Sequence, residues 1–294
     1  MTDRTPNQAS VEINGYRAAY LEMGDGPLAL CLHGFPDSAH TWRHLLPQLA
    51  DAGFHAVAPW LRGYAPSAVP SDGRYQSGAL ALDANALHDA LGGGEPGVIV
   101  GHDWGAIGTY AAIGNQPDRW RRAVTAAVPP MPIAGGGIMQ YAQLRRSWYM
   151  FFFQHPLADV VVAGDDLRFV DHLWEDWSPG YDAGHDLPLV KDALRDSANL
   201  GAAIGYYRAM LGDGARDPEL DAIEASAMAP PPIPTLYLHG ADDGCMGVEL
   251  AEQAAAFLEP SGSQMQIVAD AGHFLHLEQP DVVNAAVVAH LTSS

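Results

Sequence analysis

The sequence predicts an α/β protein with a mostly parallel central sheet, flanked by helices and interrupted by an inserted helical segment. Three observations point there. Short apolar runs alternate with longer helical stretches over residues 1–128, and such alternation builds a parallel sheet covered on both faces. At Pro129-Pro130 the alternation stops, and residues 129–228 are rich in Trp, Tyr and Phe with no clear strand. After Pro230-Pro231-Pro232 a strand pattern resumes. The core is therefore expected to comprise 1–128 and 229–294, with 129–228 inserted as a helical cap, or lid. A chain of 294 residues, 48% hydrophobic, can bury a full core.

The elements follow in order. Val11–Ile13, Asn14-Gly15 and Tyr16–Met23 read as a hairpin closed by a two-residue turn. Gly24-Asp25-Gly26-Pro27 breaks it, and Leu28–Leu32 is a short apolar run that suits a buried strand. Helical stretches at His40–Ala50 and Ala79–Leu91 separate strands at His55–Ala58 and Val98–Val100. Ala106–Gln116 reads as helix and Ala123–Val128 as strand. Beyond the inserted segment, Ile233–Leu238 and Gln264–Val268 are expected strands, and Asp281–Leu291 the last helix. The sequence holds no internal repeat, low-complexity tract or charge block.

Composition excludes several roles. A formal net charge of -20 and a pI near 4.7 argue against nucleic acid and anionic membrane surfaces as partners. Lys191 is the only lysine. The polar stretch Met1–Ser10 lacks the apolar core of a signal peptide, and no run approaches the roughly 18 apolar residues of a membrane span. Cys31 and Cys245 fall at no metal-ligand spacing, so no metal site is expected. A reduced, cytoplasmic protein is the expectation.

The pentapeptide Gly101-His102-Asp103-Trp104-Gly105 follows the apolar run Val98-Ile99-Val100. It has the spacing of a nucleophile elbow, Gly-x-nucleophile-x-Gly, in which a strand, a tight turn and a helix hold the middle side chain up at the strand end. The flanking glycines suit a turn with no room for a Cβ. Here the central residue is aspartate. A carboxylate is ionised at neutral pH and can attack displaceable sp3 carbon, an epoxide or an alkyl halide, without a base. Two further parts follow in chain order. Asp242 and Asp243 lie in Leu238-His239-Gly240-Ala241-Asp242-Asp243-Gly244, and His273 lies in Ala271-Gly272-His273-Phe274. Nucleophile, acid, histidine is the order of an α/β-hydrolase triad.

On these residues the chain resembles the α/β-hydrolase superfamily along nearly its whole length, and within it the epoxide hydrolases. His33-Gly34-Phe35-Pro36 is similar to their oxyanion loop. Arg62-Gly63-Tyr64 resembles a further motif, although Trp60 stands where the family usually has Asp, and Ala65 where it has Gly. The resemblance implies an α/β-hydrolase fold without a cofactor, and a set of roles. Asp103 would form an alkyl-enzyme ester, His273 would activate water against it, and Asp243, three residues after Gly240, would orient the histidine, with Asp242 the alternative. Backbone N–H groups of Phe35 and Trp104 would stabilise the oxyanion. Tyr149, four residues before Phe153-Gln154-x-Pro156, and Tyr207 match the two lid tyrosines that donate to the departing alkoxide. Tyr206 is the neighbour most easily mistaken for Tyr207. Trp104, Phe35 and Phe153 are expected in the substrate pocket. Trp148, Phe151 and Phe152 are expected to pack within the lid, His102 and His276 to support the site from behind, and Asp37 and Ser38 to cap a helix.

The expected activity is opening of an apolar epoxide by water to a vicinal diol. A haloalkane or haloacid dehalogenase shares the Asp nucleophile. Haloalkane dehalogenases usually carry Asn where Phe35 stands, and the fluoroacetate type carries Arg where Trp104 stands; neither change is present. No serine occupies the elbow, which disfavours an esterase. A non-catalytic binding protein on the same fold would be expected to lack a triad member. Oligomeric state stays open, a homodimer included.

Overall fold

The computed structural model describes residues 5–92 and 94–293. Residues 1–4 of the polar N-terminal stretch lie outside the described residues. Eight strands form one sheet in the order β1-β2-β4-β3-β5-β6-β7-β8. They span Asn7–Ile13 (β1), Tyr16–Met23 (β2), Leu28–Leu32 (β3), His55–Pro59 (β4), Gly97–His102 (β5), Trp120–Ala126 (β6), Thr235–Gly240 (β7) and Gln264–Val268 (β8). β2 runs antiparallel to β1 and β4, and all other pairings are parallel. Asn14 and Gly15 close the hairpin with φ of 44° and 78°, the left-handed pair that a two-residue turn between twisted strands requires. β3 and β5 are buried along their whole length. That explains their unbroken apolar runs, since helices cover both faces of the parallel part of the sheet.

The helices are α1 (Leu46–Asp51), α2 (Ser77–Leu91), α3 (Trp104–Asn115), α4 (Met131–Gly137), α5 (Tyr141–Arg146), α6 (Trp148–Phe152), α7 (Leu157–Trp177), α8 (Asp186–Leu194), α9 (Ser197–Leu211), α10 (Pro218–Ser226), α11 (Val248–Leu258), α12 (Leu275–Glu278) and α13 (Pro280–Thr292). α4–α10 all lie between β6 and β7. α7 is interrupted at 164–167, where Asp165, Asp166 and Leu167 take left-handed backbone angles.

Three expectations shift. The stretch His40–Ala50 is a 3-10 helix over Ala39–His44 followed by α1, and Pro47 at the start of α1 marks the restart, its fixed φ suiting a first helical turn. β6 begins at Trp120 and ends at Ala126, before Ala127 turns to φ 66°. α11 was not read from the sequence. It buries Leu250, Ala251, Ala254 and Leu258, a stripe at helical spacing in which small alanines blur the apolar signal.

The Arg62-Gly63-Tyr64 loop is fixed without the family's usual Asp and Gly. The Ser67 hydroxyl donates to the Trp60 carbonyl at 2.7 Å and accepts from the Ala19 N–H at 2.8 Å. Ala65 N–H donates to Ala193 O at 3.0 Å. The buried Arg62 guanidinium grips Asp83 through Nε and Nη2, at 2.6 and 3.1 Å. Truncating either partner of such a buried pair strands the other charge.

Candidate active site

Because β5, β7 and β8 are parallel, the residues that follow them emerge on one edge of the sheet. Asp103 follows β5, Asp243 follows β7 and His273 follows β8, and the three meet. His273 Nδ1 lies 3.0 Å from Asp243 Oδ2, and His273 Nε2 lies 3.6 Å from Asp103 Oδ2. Asp242, by contrast, is exposed. Asp243 Oδ1 accepts N–H groups from Cys245 and Met246 at 2.7 and 2.9 Å, which fixes the carboxylate in its turn.

Asp103 caps α3 with φ 52° and ψ -118°, a backbone state that costs an ordinary residue about 1–3 kcal/mol and collects at functional sites. The surrounding glycines are forced by close approach. A Cβ at Gly101 would stand 2.2 Å from Gly105 O, and one at Gly105 would stand 2.1 Å from Leu32 O. Asp103 Oδ1 accepts the Phe35 N–H at 2.8 Å. Trp104 opens α3, and its N–H makes no hydrogen bond to Asp103 among the described residues.

Charge in this cluster is balanced around His273, which is fully buried. Burial alone would lower its pKa, but the carboxylates of Asp243 and Asp103 on its two ring nitrogens raise it to about 10. Burial pushes the Asp243 carboxyl up, and the facing His273 more than reverses this, so that it titrates below the usual range. His102 Nε2–H donates to the His273 carbonyl at 2.9 Å, and burial with the neighbouring His273 lowers its pKa to about 3.

Asp37 does not cap the following helix. Its Oδ1 accepts the Ser38 N–H, while Oδ2 lies 4.0 Å from His102 Nδ1. Asp37 Oδ2, His102 Nδ1 and His276 Nδ1 are buried without a hydrogen-bond partner, and the three residues converge. Asp243, Cys245 and His273 also converge, but their carboxylate and imidazole already bind each other.

A cavity of about 330 Å³ opens in front of Asp103. Trp104, Tyr149, Tyr207 and Cys245 line it beside Asp103, and Ile107, Met131, Ile138, Met150 and Met210 supply much of its apolar wall. The rings of Phe35 and Phe153, expected in the pocket, do not line it. They pack edge-on against the Tyr207 ring at 5.3 and 5.1 Å. Tyr207 and Tyr206 diverge as neighbours on a helix must. The Tyr206 hydroxyl donates to the Arg62 carbonyl at 2.7 Å. The buried Tyr207 hydroxyl has no partner of hydrogen-bond geometry, and the Trp104 ring stands edge-on to its own ring at 5.1 Å. The Tyr149 hydroxyl lies 3.4 Å from Cys245 Sγ. Burial raises both phenol pKa values well above the ordinary range, which keeps each a donor at neutral pH.

Two contributions carry no motif. Cys245 enters the cavity through the turn that holds Asp243. The end of α7 braces the site, since the Trp177 carbonyl accepts the N–H groups of both Gly244 and His273, at 3.1 and 3.0 Å. Among the described residues, no helix is long and apolar enough to cross a membrane.

Comparison with known proteins agrees with this architecture. The family model for the α/β hydrolase fold matches residues 27–280. Epoxide hydrolase A of Mycobacterium tuberculosis (strain ATCC 25618 / H37Rv) is 30% identical, over 98% of each chain. Epoxide hydrolase 4 of Mus musculus is 27% identical over 96% of this chain and 78% of its own. The crystal structure of Epoxide Hydrolase A from Mycobacterium thermoresistibile superposes with a TM-score of 0.78 at 29% identity, covering 98% of both chains. A core that brings Asp103, Asp243 and His273 together at one sheet edge, a helical insertion, and a family model and relatives that match most of the chain together place this chain among the α/β hydrolases, as an enzyme of the epoxide hydrolase family.

Proposed function

We propose that this enzyme adds water to an apolar epoxide through an ester on Asp103, giving a vicinal diol. The observation that carries the reading is the juxtaposition of an elbow carboxylate with two buried tyrosine hydroxyls across an apolar cavity. Oδ1 is engaged by the Phe35 N–H, which leaves Oδ2 as the attacking atom. The new C–O bond forms at Oδ2 while the epoxide C–O bond breaks. The departing oxygen takes a proton from Tyr149 or Tyr207, and Oδ1 becomes the ester carbonyl oxygen, already at its donor.

Esterification removes one of the two carboxylate charges that raise the His273 pKa. The imidazolium then releases its proton to the tyrosinate more readily and becomes the base for the second step. Neutral His273, oriented by Asp243, accepts a proton from water, and the hydroxide adds to the ester carbonyl. Collapse of the adduct releases the diol and restores Asp103. The cavity wall, mostly methionine and branched aliphatic side chains, favours an epoxide with an apolar alkyl or aryl substituent, and methionine adapts to varied shapes.

The test is diol formation from a panel of alkyl and aryl epoxides, with Asp103→Asn as control and halide release from matched haloalkanes scored beside it. Diol from the parent, abolished in the variant, is expected. In single turnover with 18O-labelled water the label is expected in Asp103 rather than in the diol. Halide release without diol would refute the epoxide reading.

A further inference from the structure

Resting on that reading of the site, we propose that Cys245 is a positioning residue that sets the direction of the Tyr149 hydroxyl toward the epoxide oxygen. Cys245 joins two parts of the site. Its backbone N–H donates to Asp243 Oδ1 at 2.7 Å, and its Sγ lies 3.4 Å from Tyr149 Oη. The side chain is buried and lines the cavity beside Asp103. The thiol is therefore held at a fixed height above the triad acid and beside the Tyr149 oxygen, a contact across which either group can donate.

The two tyrosines differ in this respect. Tyr207 presents a buried hydroxyl to the same cavity, with only the Trp104 indole beside it and no contact of full hydrogen-bond geometry, as a group awaiting a ligand does. Tyr149 is already partnered. When S–H donates to the Tyr149 oxygen, the phenol hydrogen is directed away from sulfur and into the cavity. Donation into a phenol oxygen also strengthens that phenol as a donor, and the effect grows as negative charge develops on the departing oxygen. The thiol neither gains nor loses a proton in the cycle. Burial raises its pKa well above the ordinary thiol value, consistent with a neutral S–H that acts by orientation.

The role is read in the ester-forming step. With enzyme in excess over styrene oxide, rapid quench separates ester formation from ester hydrolysis. Cys245→Val removes the S–H while filling its space with apolar atoms, and Cys245→Ala removes the S–H and leaves that space empty. Both variants are expected to slow ester formation about three- to tenfold, the scale of one neutral hydrogen bond, with hydrolysis unchanged. In a Tyr149→Phe background the same substitutions are expected to have no effect, because the group they position is gone. Equal losses in both backgrounds would overturn the proposal and assign Cys245 to packing. So would Cys245→Val at the parental rate. A parent that makes no diol from any epoxide would instead refute the reading of the site itself.

Discussion

Replacing Gly34 by alanine tests whether the Phe35 N–H acts on Asp103 during the reaction. A Cβ built at position 34 stands 2.3 Å from Asp103 Oδ1 and 2.4 Å from its Cβ. Resting contacts between carbon atoms lie at about 3.5–4.0 Å, so the loop or the carboxylate must retreat by about 1 Å. The Phe35 N–H to Oδ1 distance, 2.8 Å in the intact site, would open to about 3.8 Å, beyond a hydrogen bond. Loss of one such donor lowers kcat by about 10²–10³, and overpacking adds about 1–3 kcal/mol of destabilisation. The control is Gly201→Ala in α9, where a Cβ meets nothing within 4 Å; the parental rate is expected, with about 0.5–1 kcal/mol of added stability. Both are measured as initial rates of diol formation at saturating epoxide, beside urea unfolding. A folded Gly34→Ala enzyme within tenfold of the parental kcat would refute the reasoning, because the donor would then be dispensable.

The adjacent tyrosines should separate by assay. Tyr206→Phe loses a buried bond to the Arg62 carbonyl and should cost about 1 kcal/mol of stability with little change in rate. Tyr149→Phe and Tyr207→Phe should each slow ester formation at least tenfold, and the double variant by about 10²–10⁴; a double variant near parental rate would exclude both as acids. Asp243→Asn should slow ester hydrolysis by about 10⁴, so that intact-protein mass spectrometry detects the ester, whereas Asp242→Asn should behave as the parent. The raised His273 pKa contributes stability that is fully present below about pH 6.5 and is lost as pH rises through about 10. Urea unfolding between pH 6 and 10 should show that decline, and Asp103→Asn, which removes one raising charge, should complete it at lower pH. An identical profile in the variant would rule out the ion pair with Asp103.

The elbow was readable because its chemistry is local. Gly101 and Gly105 are required by backbone contacts that any strand-turn-helix of this kind makes, so the motif carries its own geometry. The choice between Asp242 and Asp243 was different in kind. Both sit in one turn, and only the tertiary fold decides that Asp243 points inward at His273 while Asp242 faces water. The pair Tyr206 and Tyr207 is similar, since one residue on a helix rotates a side chain by about 100°. The ring of Phe153 packs on Tyr207 rather than lining the cavity, because an aromatic beside a motif can as easily brace the tyrosine as touch substrate. Cys245 and the methionines of the cavity wall had no legible signal. They come from turns and helices far apart in the chain, and apolar residues at such places look like ordinary core.

The helical insertion does more than cover the cavity, because the end of α7 is hydrogen-bonded to three separate loops of the site. Trp177 O accepts from Gly244, beside the acid, and from His273. Trp174 Nε1 donates to the Pro36 carbonyl at 2.8 Å, next to the donor of Phe35, and its ring stacks on Phe274 at 3.6 Å. Ser178 Oγ accepts the Phe274 N–H and donates to Glu278 Oε1, while Glu278 Oε2 accepts the Gly272 N–H. The loops that carry Asp243, His273 and Phe35 are thus tied to one helix end rather than only to their own strands. A rigid frame of this kind limits the misplacement, on the scale of 1 Å, that can cost about 10² in rate. The break at 164–167 separates that anchored end of α7 from its first half.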